Sequence, residues 1–365
     1  MEHCEVSIDM IINVRVPSTQ INTKIKIMPT LYEAVLQKKQ AGSQIAANPT
    51  LDAMDGDYCQ QLDSLVSGDE FISDRVAKTL KELELADGID YNDHYRNAFD
   101  AYNEAVAYHL MKIERGFNVS NIPERAVPTP DFEVDFTFKN SRQEQVMDRA
   151  FIEMKSLAFS GGNLQYKQVQ INSLESNISL EEQRTRGKHF CSSCYEVSPL
   201  GDKGYGLTAE IEEIIKKINN NIKREQFLYG NGNDTLLWVD LSQFIFPFQM
   251  EECLPAYPDL KRKCTTTGRL WTIVFGEEGD RVFSNCEYEG KGNFDKKLSL
   301  PGIMNTHDYI KGVIFCSGTK IGEKRLYGFY RHKEVDLTIN VLLYQLCEFC
   351  NDDQNICGFK YFSKL

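Results

Sequence analysis

The chain of 365 residues is long enough for one large domain or two small ones, and its 42% hydrophobic and 26% charged content is that of a globular protein, not a disordered or fibrous one. A net charge of −12 argues against a general nucleic-acid coat protein, whose binding rests on neutralising phosphates, but it leaves room for a locally basic cleft. No stretch approaches bilayer-spanning length, MEHCEVSIDM is not a charged-then-apolar leader, and eleven cysteines read as reduced thiols, so a cytoplasmic protein without membrane contact is predicted.

Residues 5–16 and 23–28 alternate in the strand manner and predict an N-terminal β-hairpin. Residues 31–40 read as a helix, AGSQIAANPTLDAMDGD (41–57) as a loop, 70–86 as a helix ended by Asp87-Gly88, and 92–115 as a further helix. In the last of these, Phe99, Tyr102, Val106, Leu110 and Ile113 form an apolar stripe. Two strand-like segments follow, TPDFEVDF and AFIEMKSLAF, with a polar connection (KNSRQEQVMDR) between them. Ser160 to Asn163 supply a turn and a helix cap, and the helix from Leu164 sets Leu164, Ile171, Leu174 and Ile178 on one face, with Gln168 on the same stripe.

Beyond Ile178 the chain reads as irregular through Gly206, and a helix is predicted over 208–228. Strands are predicted over 235–246, 269–276, 309–318 and 325–331, and Asp336 is placed as the cap of a last helix through Phe349. Strands alternating with helices around one central mixed sheet give the α/β (α+β) class. The expected division is an N-terminal hairpin with helices (1–90) and a larger domain (91–365).

Chemistry can be read directly at one place. Phe151, Glu153, Lys155 and Leu157 share one face of a strand, with Ile152, Met154 and Ser156 on the other. A carboxylate and an ammonium thus project side by side among apolar neighbours, which costs several kcal/mol unless they pair or hold a metal. The bland alternative is a surface ion pair worth at most about 1 kcal/mol.

Pro130-Asp131, followed twenty-two residues later by Glu153-Met154-Lys155, resembles the PD-(D/E)xK nuclease superfamily. The resemblance implies a restriction-endonuclease-like core with an N-terminal strand-helix extension. It further implies a Mg²⁺ ion (Mn²⁺ as substitute) on Asp131, Glu153 and the Met154 carbonyl, with Lys155 as the catalytic ammonium. The family's acidic residue on a preceding helix falls to Glu104, with Asp100 as rival, and its polar residue on the following helix to Gln168, with Lys167 beside it.

The implied activity is hydrolysis of DNA phosphodiester bonds, in a restriction, phage-defence, mobile-element or repair setting. A homodimer would supply the two sites that cutting both strands requires. Arg184, Arg186 and Lys188 are expected to contact phosphates beside the cleft. Two alternatives stay open: an inactive nucleic-acid or protein-binding member of the fold, and a zinc-stabilised interaction protein using His189, Cys191, Cys194, Cys347, Cys350 and Cys357. No phosphate-cradling glycine motif follows a strand.

Overall fold

The computed structural model describes residues 29–42, 48–86, 93–123, 125–139, 142–157, 163–193, 206–229, 234–243, 250–259, 264–284, 294–332, 337–354 and 360–361. The expected N-terminal hairpin, Asp87-Gly88, Asp336, Cys194 and Cys357 lie outside the described residues.

Helices come first: α1 (Leu31–Gly42), α2 (Pro49–Ala53), α3 (Gly56–Leu65), α4 (Glu70–Leu85) and α5 (Asp93–His109), which runs on through a π-helical turn (Leu110–Glu114). The segment read as a loop over 41–57 therefore holds α2 and the start of α3. Its turn-forming residues are caps. The Asn48 side chain accepts from the Thr50 and Leu51 amides ahead of Pro49, and Asp55 accepts from Asp57 and Tyr58. Of the α5 stripe, Phe99, Tyr102, Val106 and Leu110 are buried, but Ile113, in the π turn, is exposed.

A meander of β1 (Asn118–Asn121), β2 (Phe132–Lys139) and β3 (Gln145–Ser156) follows, all antiparallel. Much of the expected polar connection at 139–149 is strand, since β2 runs to Lys139 and β3 starts at Gln145, its pairing partner. Then come α6 (Asn163–Thr185), α7 (Leu207–Asn219), α8 (Arg224–Phe227) and β4 (Thr235–Asp240), which returns parallel to β3. The helix expected over 208–228 is thus broken at Asn220-Asn221, and the strand expected to reach 246 ends at Asp240.

Next are a hairpin of β5 (Ala256–Asp259) and β6 (Cys264–Thr267), helix α9 (Arg269–Phe275), a second small pair β7 (Arg281–Phe283) and β8 (Phe294–Lys297), and α10 (Ile303–Thr306). Residues 269–276, expected as a strand, are helical. An apolar run this short fits either state, and here Leu270 and Thr272 to Phe275 are buried and the helix is opened by Gly268, whose carbonyl accepts from Thr272 Oγ1.

Strands β9 (Gly312–Ser317) and β10 (Arg325–Tyr330) form as expected. Helix α11 (Leu337–Leu346) stops short of Phe349, which opens β11 (Phe349–Asp352), and β12 (Lys360–Tyr361) closes the order. The result is one mixed sheet, β1-β2-β3-β4-β9-β10-β11-β12, flanked by helices, as the α/β class requires.

Alternation along the central strands divides the core into two layers. Ala150, Ile152, Met154, Leu236, Trp238 and Ile314 face the layer formed by α1–α5 and α11. Leu157, Leu237, Val239, Val313 and Phe315 face the layer of α7–α10.

Candidate active site

Register brings the first two residues of the motif together. The Asp131 amide, just ahead of the Phe132–Ile152 pair that opens β2, donates to the Ile152 carbonyl at 2.9 Å, so Asp131 lies beside the Ile152–Glu153 end of β3. The Met154 amide donates to Asp131 Oδ2 at 2.7 Å, which ties the first carboxylate to the backbone of the strand carrying the second.

Glu153 is 1% exposed. Its Oε1 accepts from Lys155 Nζ and, at 2.6 Å, from Gln226 Nε2 on α8. Its Oε2 is buried with no hydrogen-bond partner among the described residues. Burial first, and then the charge of Asp131, push the Glu153 carboxyl well above the usual range, against the pull of Lys155 and Gln226. The Lys155 side chain keeps 20% of its surface open, so this ion pair sits at the edge of the core and not inside it.

The two rival acids on α5 both belong to this neighbourhood. Glu104 pairs with Arg75 of α4 at 3.0 Å, and burial raises its carboxyl to about 7, Arg75 opposing and Asp131 adding to the rise. Asp100, one turn earlier, is raised to about 6, chiefly by burial, and its side chain hydrogen-bonds Ser156 at the end of β3. Asn103 donates to the same hydroxyl at 2.9 Å. Glu104 senses Asp131 more directly and is the better candidate for the accessory acid.

The remaining candidate residues fall on or just after α6. Gln168 and Lys167 lie on α6, but their side chains are outside the described set. The argument for Gln168 was a buried stripe, whereas Ile171, Leu174 and Ile178 are 47%, 45% and 60% exposed. Arg184 belongs to α6, which extends past Ile178 to Thr185, so the expected irregular segment begins later. Arg186 pairs with Glu182 at 3.3 Å, and Lys188 sits in the following turn. No ion pair or hydrogen bond among the described residues joins this end of α6 to Asp131, Glu153 or Lys155.

The cysteine pair after α11 packs as small apolar groups. A Cβ at Gly328 would come within 3.0 Å of Cys350 Sγ and 3.1 Å of Cys347 Sγ. His189 is exposed and Cys191 half-buried, far along the chain in the turn after α6.

Among the described residues no group of three or more His, Cys, Asp or Glu side chains converges on a metal-holding arrangement. What exists is a pair of neighbouring carboxylates, Asp131 and Glu153, and the Glu153 Oε2, without a partner among the described residues, is the kind of hard oxygen donor that Mg²⁺ takes. The donor set fits such an ion in kind. Gln226 was not legible in advance. It lies 73 residues beyond Glu153 on a four-residue helix, with no local pattern to mark it.

Comparison with protein-family models, curated proteins and solved structures finds no match to this chain. No helix among the described residues is long and apolar enough to cross a membrane.

Proposed function

We propose that this protein is a metal-dependent phosphodiesterase and, within that class, a cytoplasmic nuclease that hydrolyses DNA with Mg²⁺ or Mn²⁺. The observation that carries the reading is the buried Oε2 of Glu153, without a hydrogen-bond partner among the described residues, with Asp131 bonded to the Met154 amide next along the same strand and Lys155 on the other oxygen of the same carboxylate. An unsatisfied carboxylate oxygen in the core costs stability, and sites of function are where such costs concentrate.

Asp131, Glu153 and the Met154 carbonyl would hold the ion, which when bound polarises the phosphoryl group and acidifies water. The chain's own part follows from its groups. Lys155 Nζ offsets negative charge as it builds on the phosphate oxygens. Glu104, titrating near neutrality at about 7, can hold or release a proton at the edge of the site.

The αβββ run of α5 and β1–β3, with a crossover to parallel β4, is compatible with a restriction-endonuclease-like core. A non-catalytic binding protein on the same fold is less well supported, because a decayed site would have lost at least one of Asp131, Glu153 and Lys155. The test is incubation with plasmid, linear and single-stranded DNA, with and without Mg²⁺ or Mn²⁺. Metal-dependent cleavage that disappears in Asp131→Ala and Glu153→Ala, together with their metal binding by calorimetry, is expected. Absence of cleavage of every substrate with either metal at pH 7–9 would overturn the proposal.

A further inference from the structure

The geometry points to the α4–α5 edge of the site, with Lys78 and Arg96, as the surface that holds the phosphates of a nucleic-acid strand; this rests on the nuclease reading above. The two helices pack antiparallel, and two contacts fix their alignment. Arg75 meets Glu104 at 3.0 Å, and Glu82 meets His94 at 2.7 Å. Lys78, one turn beyond Arg75, therefore stands at the level of Asp100 and Glu104, and Arg96 stands one turn before Asp100. The electrostatics agree with this placement. Lys78 bears on both Asp100 and Glu104, and Arg96 on Asp100.

The three cations differ in what they already do. Arg75 is committed to Glu104 and lies over the Phe71 ring at 5.1 Å. Lys78 is exposed and makes no ion pair or hydrogen bond among the described residues. Arg96 has only an exposed pair with Asp93 at 3.4 Å, which water screens heavily. Exposed ammonium and guanidinium groups of this kind add little to folding. They stand beside Asp100 and Glu104, and Glu104 in turn senses Asp131, so they offset the negative charge that a polyanion meets as it approaches this end of the site.

The alternative surface is the end of α6. There Arg186 lines an apolar hollow with Leu174, Ile178, Glu181 and Glu182, in which two acids face any phosphate. No described contact links that hollow to Glu153.

The experiment measures binding of a labelled DNA duplex by anisotropy, with Ca²⁺ in place of Mg²⁺, across a salt series. Wild type, Lys78→Ala/Arg96→Ala and Arg184→Ala/Arg186→Ala are compared, and cleavage with Mg²⁺ is recorded in parallel. The first double variant is expected to bind about tenfold more weakly or worse and to lose about two units of salt slope, at about 0.9 per phosphate contact. The second should match wild type. An unchanged slope in Lys78→Ala/Arg96→Ala, a loss confined to the α6 variant, or no DNA binding by wild type would each overturn the assignment. If wild type binds DNA through Lys78 and Arg96 but never cuts it, the phosphate surface stands and the nuclease reading falls. Cutting by wild type with an unchanged slope in the variant has the opposite meaning. Both side chains are exposed, so thermal unfolding of the variants serves as the folding control.

Discussion

Two lysine–carboxylate pairs sit on neighbouring central strands, and they differ in one respect that separates scaffold from site. On the α1–α5 side of the sheet, Lys324 reaches Asp240 at 3.7 Å, Ser242 Oγ at 3.0 Å and the Gly318 carbonyl at 3.2 Å, with the Tyr58 ring 5.9 Å away. Ser242 closes the arrangement by donating to Asp240 at 3.0 Å, and its amide donates at 2.9 Å. Both side chains are at most 5% exposed, and the Lys324 ammonium stays charged. Burial works against it, but Cys316 and Asp240 outweigh that and hold its pKa above the ordinary value. On the other face Lys155 pairs with Glu153, which keeps an oxygen without a partner among the described residues and a carboxyl that burial drives toward the neutral form. The first network is complete and rigid; the second is waiting for a charge.

That contrast can be broken in order of expected size. Lys324→Ala should destabilise the fold by about 3–5 kcal/mol in urea titration, because it strands a buried carboxylate. Lys155→Ala should cost less than about 1 kcal/mol in the same titration, because Glu153 can simply take up a proton. A large loss in the second variant and a small one in the first would reverse the assignment of scaffold and site. In activity the order inverts: Lys155→Ala should lower the rate of metal-dependent cleavage by on the order of 10²–10³, while metal affinity by calorimetry holds.

A smaller effect appears in the pH dependence of the metal-free protein. Glu104, at about 7, and Asp100, at about 6, both titrate above unfolded carboxylates, as Glu153 does in direction. Between about pH 4 and those values the folded state holds more protons than the unfolded chain, so the stability they contribute falls as pH rises. Melting temperature should drop from pH 5 to pH 8, Glu153→Gln should flatten that drop and add a few degrees at pH 8, and Mg²⁺ should restore wild type. A melting temperature that rises over this range would contradict the carboxylate account.

Smallest of the four is Gln226→Ala. Removing a donor from the ionised form of Glu153 should move the acidic limb of metal binding to higher pH, with at most about tenfold loss of affinity at neutrality. An unmoved limb would leave Gln226 as packing only.

How much of this could be seen in the sequence follows from the range of each signal. Asp131, Glu153 and Lys155 were legible because strand parity is local and the hairpin that aligns them is short. The helices carrying Glu104 and Asp100 were legible from periodicity. Gln226 was not, since only tertiary packing brings α8 to Glu153. Residues 269–276 misled because Leu270, Trp271, Ile273, Val274 and Phe275 suit a strand in isolation, and the deciding facts are Gly268 and the buried setting. The apolar face of α6 misled differently: Ile171, Leu174 and Ile178 have the period of a core helix yet stay exposed.

The bond from the Met154 amide to Asp131 has a consequence for how the site keeps time with the rest of the molecule. Because one carboxylate is fastened to the peptide plane between the other two motif residues, the gap between the carboxyls is governed by inter-strand spacing and not by freely turning side chains. Any breathing of β2 against β3 opens both at once. The proton of that single amide therefore works as a resident reporter. Its resonance should follow the ionisation of Asp131, and its exchange with deuterium should measure how often the two strands part.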